Sequence, residues 1–214
     1  MKKKIKRLDL IKQWKSQEKI ILPSIINVLR SGQYVNSDIV ERLENKIARL
    51  TNSKYCVCTN SGTDALTLGL HALGIKKNDE VITQSNSFVA STASIVHLGA
   101  KPVFIDVKNN QMIDENKIQK KITKKTKAIM PVHLTGRMAN MITIRKIAKK
   151  YNLKIIEDCA QAIGSKYFGK TSGTYGDIGC FSTHPLKNLN SCGDGGFVIL
   201  NNKNKYEYIK KLTN

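Results

Sequence analysis

Several common signatures are missing from this sequence, and each absence narrows the reading. There is no C-x-x-C pair and no His-x-x-x-His spacing, and the cysteines (Cys56, Cys58, Cys159, Cys180 and Cys192) are odd in number. Neither a disulfide framework nor a zinc site is indicated, and no metal is expected. Cys56 and Cys58 stand two apart in an apolar run, which puts both on one face of a strand and makes them core residues. No apolar stretch of membrane-spanning length is present. The basic start, Met1 to Arg7, leads into a segment interrupted by Asp9, Lys12, Lys15 and Glu18 instead of an apolar leader core, so a cytoplasmic protein is expected. The G-x-x-x-x-G-K-[ST] phosphate loop is missing too. Gly173, Gly176 and Gly179 are three apart, which does not fit the dinucleotide fingerprint, and they read as turns.

Acidic residues are scarce. Sixteen Asp and Glu stand against 36 Lys and Arg, for a formal net charge of +20, an excess that raises nucleic acid or an anionic surface as a partner. The lysines are spread along the whole chain, with no arginine-rich arm and no interleaved aromatic platform of the kind single-strand binders use. The charge is therefore read mainly as biased composition, and a nucleic-acid partner is not expected.

What is present is ordinary for a globular chain of 214 residues, with 41% hydrophobic and 24% charged residues, enough for one large α/β domain or two small ones. From Leu8 to Leu29 apolar residues recur at helical spacing around Pro23, which predicts two short helices ended by Gly32. Asn36 and Ser37 offer N-caps for an amphipathic helix carrying Val40, Leu43, Ile47 and Leu50. Beyond Tyr55 short apolar runs alternate with helical segments. Strands are predicted at 55–59, 80–83, 102–106, 128–132, 153–157, 179–182 and 196–200, and helices at 63–73, 88–98, 116–122, 141–150 and 203–212. Such alternation with short connections predicts an α/β fold, a mostly parallel central sheet with helices on both faces. Residues 1–35 are read as an N-terminal helical segment and 36–214 as the large domain.

In such a sheet ligands bind beyond the carboxyl ends of the strands. After the first strand, Ser61-Gly62-Thr63 opens a helix, and its amides and dipole suit either an anion or a plain N-cap. Phe88 stands at the next helix start, as a stacking ring or as core. Asp158 ends a buried strand, where a carboxylate needs a cationic partner unless it is a simple loop cap, and Gln161 follows three residues on. Lys187, between Pro185 and Asn188 and ahead of Gly193-Asp194-Gly195-Gly196, sits on constrained irregular backbone, an unusual place for a lysine. An anion site, a flat ring, a carboxylate and a lysine together match the needs of pyridoxal 5'-phosphate.

The runs Asn60-Ser-Gly-Thr-Asp-Ala-Leu66, Asp79-Glu-Val-Ile82, Gly99 to Asp106, Pro131-Val-His-Leu134, Ile156-Glu-Asp-Cys-Ala-Gln161, Gly176 to Ser182, His184-Pro-Leu-Lys-Asn-Leu189 and Gly193 to Gly196 resemble, in order and spacing, the DegT/DnrJ/StrS sugar aminotransferases of the fold-type I pyridoxal phosphate class. The resemblance implies that Lys187 carries the covalent link to the cofactor and, once released, acts as general base. It implies that Asp158 pairs with the pyridine nitrogen, Gln161 approaches the ring hydroxyl, Phe88 stacks on the ring, and Gly62, Thr63 and Ser182 hold the phosphate. It further implies an amino-acid donor, typically glutamate, and a nucleotide-sugar acceptor in cell-surface polysaccharide (lipopolysaccharide) or deoxy-amino-sugar biosynthesis. Sugar 3-dehydratases, a neighbouring branch, carry histidine where this chain has Lys187, so transamination is implied. The family continues into a smaller C-terminal domain with no counterpart in this sequence, and works as a dimer. A homodimer, or pairing with a second chain that supplies that domain, is therefore expected. The alternative is a non-catalytic remnant that binds pyridoxal phosphate or an anionic partner without turnover.

Overall fold

A computed structural model describes residues 8–35 and 37–213. The basic segment 1–7 and the proposed cap Asn36 lie outside the described residues. Two compact units are present, 1–42 and 43–214.

The first unit holds one helix, α1 (Leu10–Ser31), where two were predicted. Asp9 caps it, with Oδ1 accepting the Lys12 amide at 3.1 Å, and Gly32 ends it at φ +68°. Pro23 lies inside this helix instead of dividing it. A proline removes one amide donor, and on a helix this exposed the freed carbonyl of Lys19 faces water, so the helix runs through. Ser37 then starts α2 (Asp38–Thr51), its carbonyl taking the Val40 amide at 3.0 Å. The buried residues of α2 are Glu44, Ile47, Ala48 and Thr51, a three-and-four spacing that gives one inward stripe.

The second unit is built on a seven-stranded sheet: β1 (Tyr55–Thr59), β2 (Glu80–Gln84), β3 (Lys101–Ile105), β4 (Thr126–Met130), β5 (Lys154–Asp158), β8 (Ile178–Ser182) and β9 (Gly196–Leu200). A two-stranded hairpin, β6 (Lys166–Tyr167) and β7 (Lys170–Thr171), stands apart. The sheet order is β1-β9-β8-β5-β4-β2-β3, with β9 antiparallel to both neighbours and the other six strands sharing one direction. The helices are α3 (Gly62–Ala72), α4 (Val89–His97), α5 (Glu115–Ile118, continued by one 3-10 turn), α6 (Met141–Tyr151) and α7 (Lys203–Leu212). All seven predicted strands are present, displaced by at most two residues. The α/β architecture follows as expected.

Burial on both faces explains why the strands read as continuous apolar runs: Val81, Ile82, Ile129, Ile156, Ile178 and Val198 are fully inaccessible. One face packs Leu66, Leu70 and Ile95 with Val57 and Val198; the other packs Met141, Ile144 and Ile147 with Ile82 and Ile129. A third cluster under α2 stacks Phe181 on Phe197 at 4.7 Å between ring centres. Each aligned strand is followed by a loop or helix start, so the ends of β1, β2, β5 and β8 meet at one pole.

Candidate active site

The first component is a pair of open amides. Ser61 is extended (φ −158°, ψ 166°) and caps α3, its Oγ accepting the Asp64 amide at 3.0 Å and its carbonyl the Ala65 amide at 3.0 Å. The amides of Gly62 and Thr63, the first two of the helix, have no acceptor among the described residues. Such a helix start favours a negative charge. Ser182, the last residue of β8, is pressed against it. A Cβ on Gly62 would lie 2.6 Å from Ser182 Cβ and 3.1 Å from its Oγ. Glycine at 62 therefore lets the Ser182 hydroxyl stand beside the two amides, and Gly62, Thr63 and Ser182 share one cradle.

Asp158 ends β5 and is 4% exposed. Its Oδ2 accepts the Ser91 hydroxyl at 2.7 Å, and its Oδ1 accepts the Ala160 amide at 3.1 Å. Ser87 supports Ser91 at 2.6 Å between hydroxyl oxygens. All these donors are neutral, and among the described residues no cation pairs with this carboxylate. A carboxylate taken out of water in this way is short of positive charge. Phe88 sits one turn before Ser91 as the residue preceding α4, and it is 71% exposed, so it is not core. Its ring is open at the helix start that carries the Asp158 partner. Gln161 is half-buried in the loop after β5, three residues from Asp158.

Lys187 lies in the loop 183–195 between β8 and β9. The loop is closed at its base by paired strands, Ser182 opposite Gly196, and by the Thr183 amide donating to Gly195 O at 2.8 Å. Ser191 seals it further, its amide and its hydroxyl each donating to Thr183 O at 2.8 Å. The Lys187 amide donates to His184 O at 2.8 Å, while its ammonium makes no hydrogen bond or ion pair among the described residues. Glycine is required at the loop's end: a Cβ on Gly196 would fall 2.5 Å from Ser61 O and one on Gly195 2.4 Å from Thr183 Oγ1. The start of β9 thus touches the Ser61 turn, and the lysine loop hangs beside the amide cradle.

Sequence reasoning missed the support beneath the site. Glu157, one residue before Asp158 and on the opposite face of β5, is fully buried. Its Oε1 accepts the amides of Tyr175 at 2.7 Å and Gly176 at 2.6 Å, and its Oε2 the amide of Gly173 at 3.0 Å. His133 Nε2 is 3.0 Å from the same Oε2. Because His133 Nδ1 accepts the Ala139 amide at 3.2 Å, the proton must sit on Nε2, and histidine is the donor to Glu157. Gly173 and Gly176, both read as turns, help wrap this carboxylate, whereas Gly179, read with them, lies inside β8, where a Cβ would meet Gly173 Cα at 2.4 Å. The ligand atoms of His133, Glu157 and Cys159 all lie within 4.8 Å of one another, but both histidine nitrogens and both carboxylate oxygens are already engaged. Burial pushes the Cys159 thiol well above its ordinary pKa, and the contacts of His133 and Glu157 make this a hydrogen-bond network. Ser91 was legible only as a small polar residue one turn beyond Phe88.

A sheet with one antiparallel strand, a helix-start anion cradle and a lysine loop on the same pole defines the fold-type I transferase architecture. The chain is similar to S. venezuelae DesV in complex with a ketimine intermediate, with a TM-score of 0.95 and 36% identity over 98% of this chain and 57% of that one. It is also similar to ntda from Bacillus subtilis with bound cofactor PMP, with a TM-score of 0.89 and 33% identity over 97% and 48% of the two chains. Among curated proteins it is 45% identical to dTDP-3-amino-3,6-dideoxy-alpha-D-galactopyranose transaminase of Aneurinibacillus thermoaerophilus, over 97% of this chain and 57% of that one. It is 43% identical to the pleiotropic regulatory protein of Geobacillus stearothermophilus, over 91% and 52%. Residues 15–214 match the DegT/DnrJ/EryC1/StrS aminotransferase family, and the chain belongs to it. The chain spans about half the length of the curated relatives it matches.

Proposed function

We propose that this chain acts as a pyridoxal 5'-phosphate-dependent aminotransferase, moving an amino group from an amino acid, glutamate by preference, to a nucleotide-linked keto sugar. The observation that carries the reading is Asp158: a buried carboxylate that meets only neutral donors among the described residues, at the end of a strand whose pole also carries the open amides of Gly62 and Thr63 and the loop of Lys187. A protonated ring nitrogen supplies the missing cation, and a phosphate fits the amides of Gly62 and Thr63 with the Ser182 hydroxyl. The residues present therefore fit the cofactor. When bound, pyridoxal phosphate supplies an electron sink conjugated to an aldehyde carbon.

Asp158 keeps the ring nitrogen protonated, and Ser91 and the Ala160 amide hold the carboxylate in place for it. Phe88 offers its open ring face for stacking, and Gln161 an amide toward the ring hydroxyl. Lys187 would hold the cofactor through its Nζ and, when free, its amine would serve as the base that takes and returns the substrate's proton. Among the described residues no ion pair engages this lysine, which leaves its nitrogen available for both tasks. A nucleotide-sugar acceptor, a role in polysaccharide or deoxy-amino-sugar biosynthesis and a cytoplasmic location belong to the same proposal, supported by relatives described as dTDP- and UDP-sugar aminotransferases. No helix among the described residues is long and apolar enough to cross a membrane. Phe88 and Val89 at the start of α4 and Leu186 in the loop after β8 are 71%, 67% and 55% exposed, which supports a second copy or a second chain covering this pole.

The test is direct. Protein incubated with pyridoxal phosphate should gain a visible absorbance band, and borohydride reduction should fix one pyridoxyl group on Lys187, located by peptide mass. An unmodified Lys187, or a Lys187→Ala variant with the parent's spectrum, would sink the reading. Adding glutamate alone separates an enzyme from a binding remnant, because only the enzyme's spectrum shifts to that of the amine form.

A further inference from the structure

The opposite pole of the sheet carries a charge pattern that the proposed reaction does not use. Residues 117–154 contain ten lysines and two arginines and no Asp or Glu. Their placement is not random. The chain here runs from the 3-10 turn after α5 into the start of β4, and then from α6 into the start of β5, so most of these cations collect where the aligned strands begin. Lys150 Nζ and the Tyr151 hydroxyl both donate to Gln119 Oε1, at 3.3 and 3.2 Å, which joins the end of α6 to that 3-10 turn. Two shallow hollows of about 550 Å³ each meet at Leu153; one is walled by Lys124 and Lys127, the other by Arg145, Lys146 and Lys149. All five of these side chains are exposed, and none forms an ion pair among the described residues. The nearby carboxylates are withdrawn. Glu80 is 8% exposed and accepts the hydroxyls of Thr123 and Thr126 at 2.6 and 3.3 Å. Asp79 is 8% exposed and accepts the Lys76 amide at 3.0 Å. Asp177 is the exception: it is exposed and lines the second hollow, with one oxygen taken up by the Ile155 amide at 2.8 Å, so it offsets one of the three cations there. A lysine or two at the end of α6 would complement the helix dipole; that accounts for Lys149 and Lys150 but not for Lys124, Lys125 and Lys127.

We propose that this pole is an electrostatic docking face for a membrane surface bearing anionic phospholipids. A membrane needs clustered lysines on one face and no defined groove, whereas a nucleic-acid strand asks for ring faces on which bases stack. This pole offers little of that kind: Tyr175 is buried, and Tyr151, 38% exposed, is a single ring with Lys150 Nζ 5.2 Å over it, which makes no platform for successive bases. Docking by this pole leaves the Lys187 pole turned to solution, so the two surfaces are compatible.

The experiment is co-sedimentation of the purified chain with vesicles of phosphatidylcholine, with and without phosphatidylglycerol, in 0.1 M salt. Binding is expected only with phosphatidylglycerol, and it should disappear at 1 M salt, where screening acts within about 3 Å. Each lysine near such a surface contributes about a factor of five. A Lys124→Gln/Lys127→Gln/Lys149→Gln variant should therefore partition roughly a hundred-fold more weakly. A control with the same net charge, Lys117→Gln/Arg137→Gln/Lys166→Gln, should stay within about five-fold of the parent, with circular dichroism showing both variants folded. Equal losses in the two variants would assign binding to net charge and overturn the proposal. Failure of the parent to bind, or binding to a short RNA or DNA duplex in preference to vesicles, would overturn it as well.

Discussion

Replacing Glu157 by glutamine tests whether the buried carboxylate is the keystone of the wall behind the site. The side chain keeps its shape, but one of two acceptor oxygens becomes an NH₂ donor. Whichever way the amide turns, two donors are then opposed by a donor: Tyr175 and Gly176 amides on one side, or the Gly173 amide and His133 Nε2–H on the other. His133 cannot relieve the clash by moving its proton to Nδ1, which is occupied by the Ala139 amide. A hydrogen bond to a charged group contributes about 1.5–3 kcal/mol, so losing two gives about 3–6 kcal/mol, a large part of the roughly 5–15 kcal/mol that holds a domain folded. At about 2–4 °C per kcal/mol for a chain this size, the midpoint should fall by roughly 6–24 °C. Urea unfolding followed by circular dichroism should show a lower midpoint at unchanged slope. Glu157→Ala, which leaves all four donors unmet, should fall further. A glutamine variant within about 1 kcal/mol of the parent would refute the reasoning.

Three further outcomes follow from contacts elsewhere. Gly196→Ala should cost about 1–3 kcal/mol and weaken pyridoxal phosphate binding in a spectrophotometric titration, since its Cβ would meet backbone atoms of Ser61 and Phe181 at 2.5–2.7 Å. Gly193→Ala, with nothing within 4 Å of the added carbon, should be near neutral in both assays. Asp158→Asn should leave unfolding stability no lower than the parent's, because a buried charge is removed at constant shape, while the glutamate-driven spectral change slows at least 100-fold. Lys210 donates to both oxygens of Glu44 at 3.0 and 2.9 Å. Burial lowers the Lys210 pKa, but the hydrogen bond and charge of Glu44 outweigh it and leave the ammonium above its ordinary 10.5. A raised pKa stabilises the fold fully below the unfolded-state value and ceases to do so as pH rises through the folded one. Stability should therefore decline above about pH 10.5 more steeply in the parent than in Lys210→Met, as measured by urea midpoints across that range.

The strands were legible because each is an apolar run too short for a helix and bounded by a turn residue. Their order was not, because nothing local to Gly196–Leu200 says that it inserts between β1 and β8. Asp158 and Lys187 stood out by position, an acid ending an apolar run and a lysine on irregular backbone. Glu157 sits beside Asp158 and did not stand out. Alternation along β5 points it at the far face, where its partners are backbone amides of residues 173–176, and amides carry no sequence signature. Pro23 misled for the opposite reason: its penalty is local and real, yet an exposed helix meets the lost bond with water.

The single antiparallel strand explains why the lysine is where it is. A crossover from β8 to another aligned strand would have to return the chain to the far pole through a helix, taking any intervening lysine away from the cradle. Because β9 runs backwards, its first residue pairs with Ser182 and, on its other side, with Thr59. The connection 183–195 therefore begins and ends at the pole where Ser61, Gly62 and Ser182 meet. Its two closing glycines are the condition for that approach, since any side chain at 195 or 196 would occupy space held by Thr183 Oγ1 or the Ser61 carbonyl. The position of Lys187 is thus set by strand direction, and residues at both ends of its loop fix it there, so substitutions at Gly195 and Gly196 should reach the lysine's chemistry without touching the lysine.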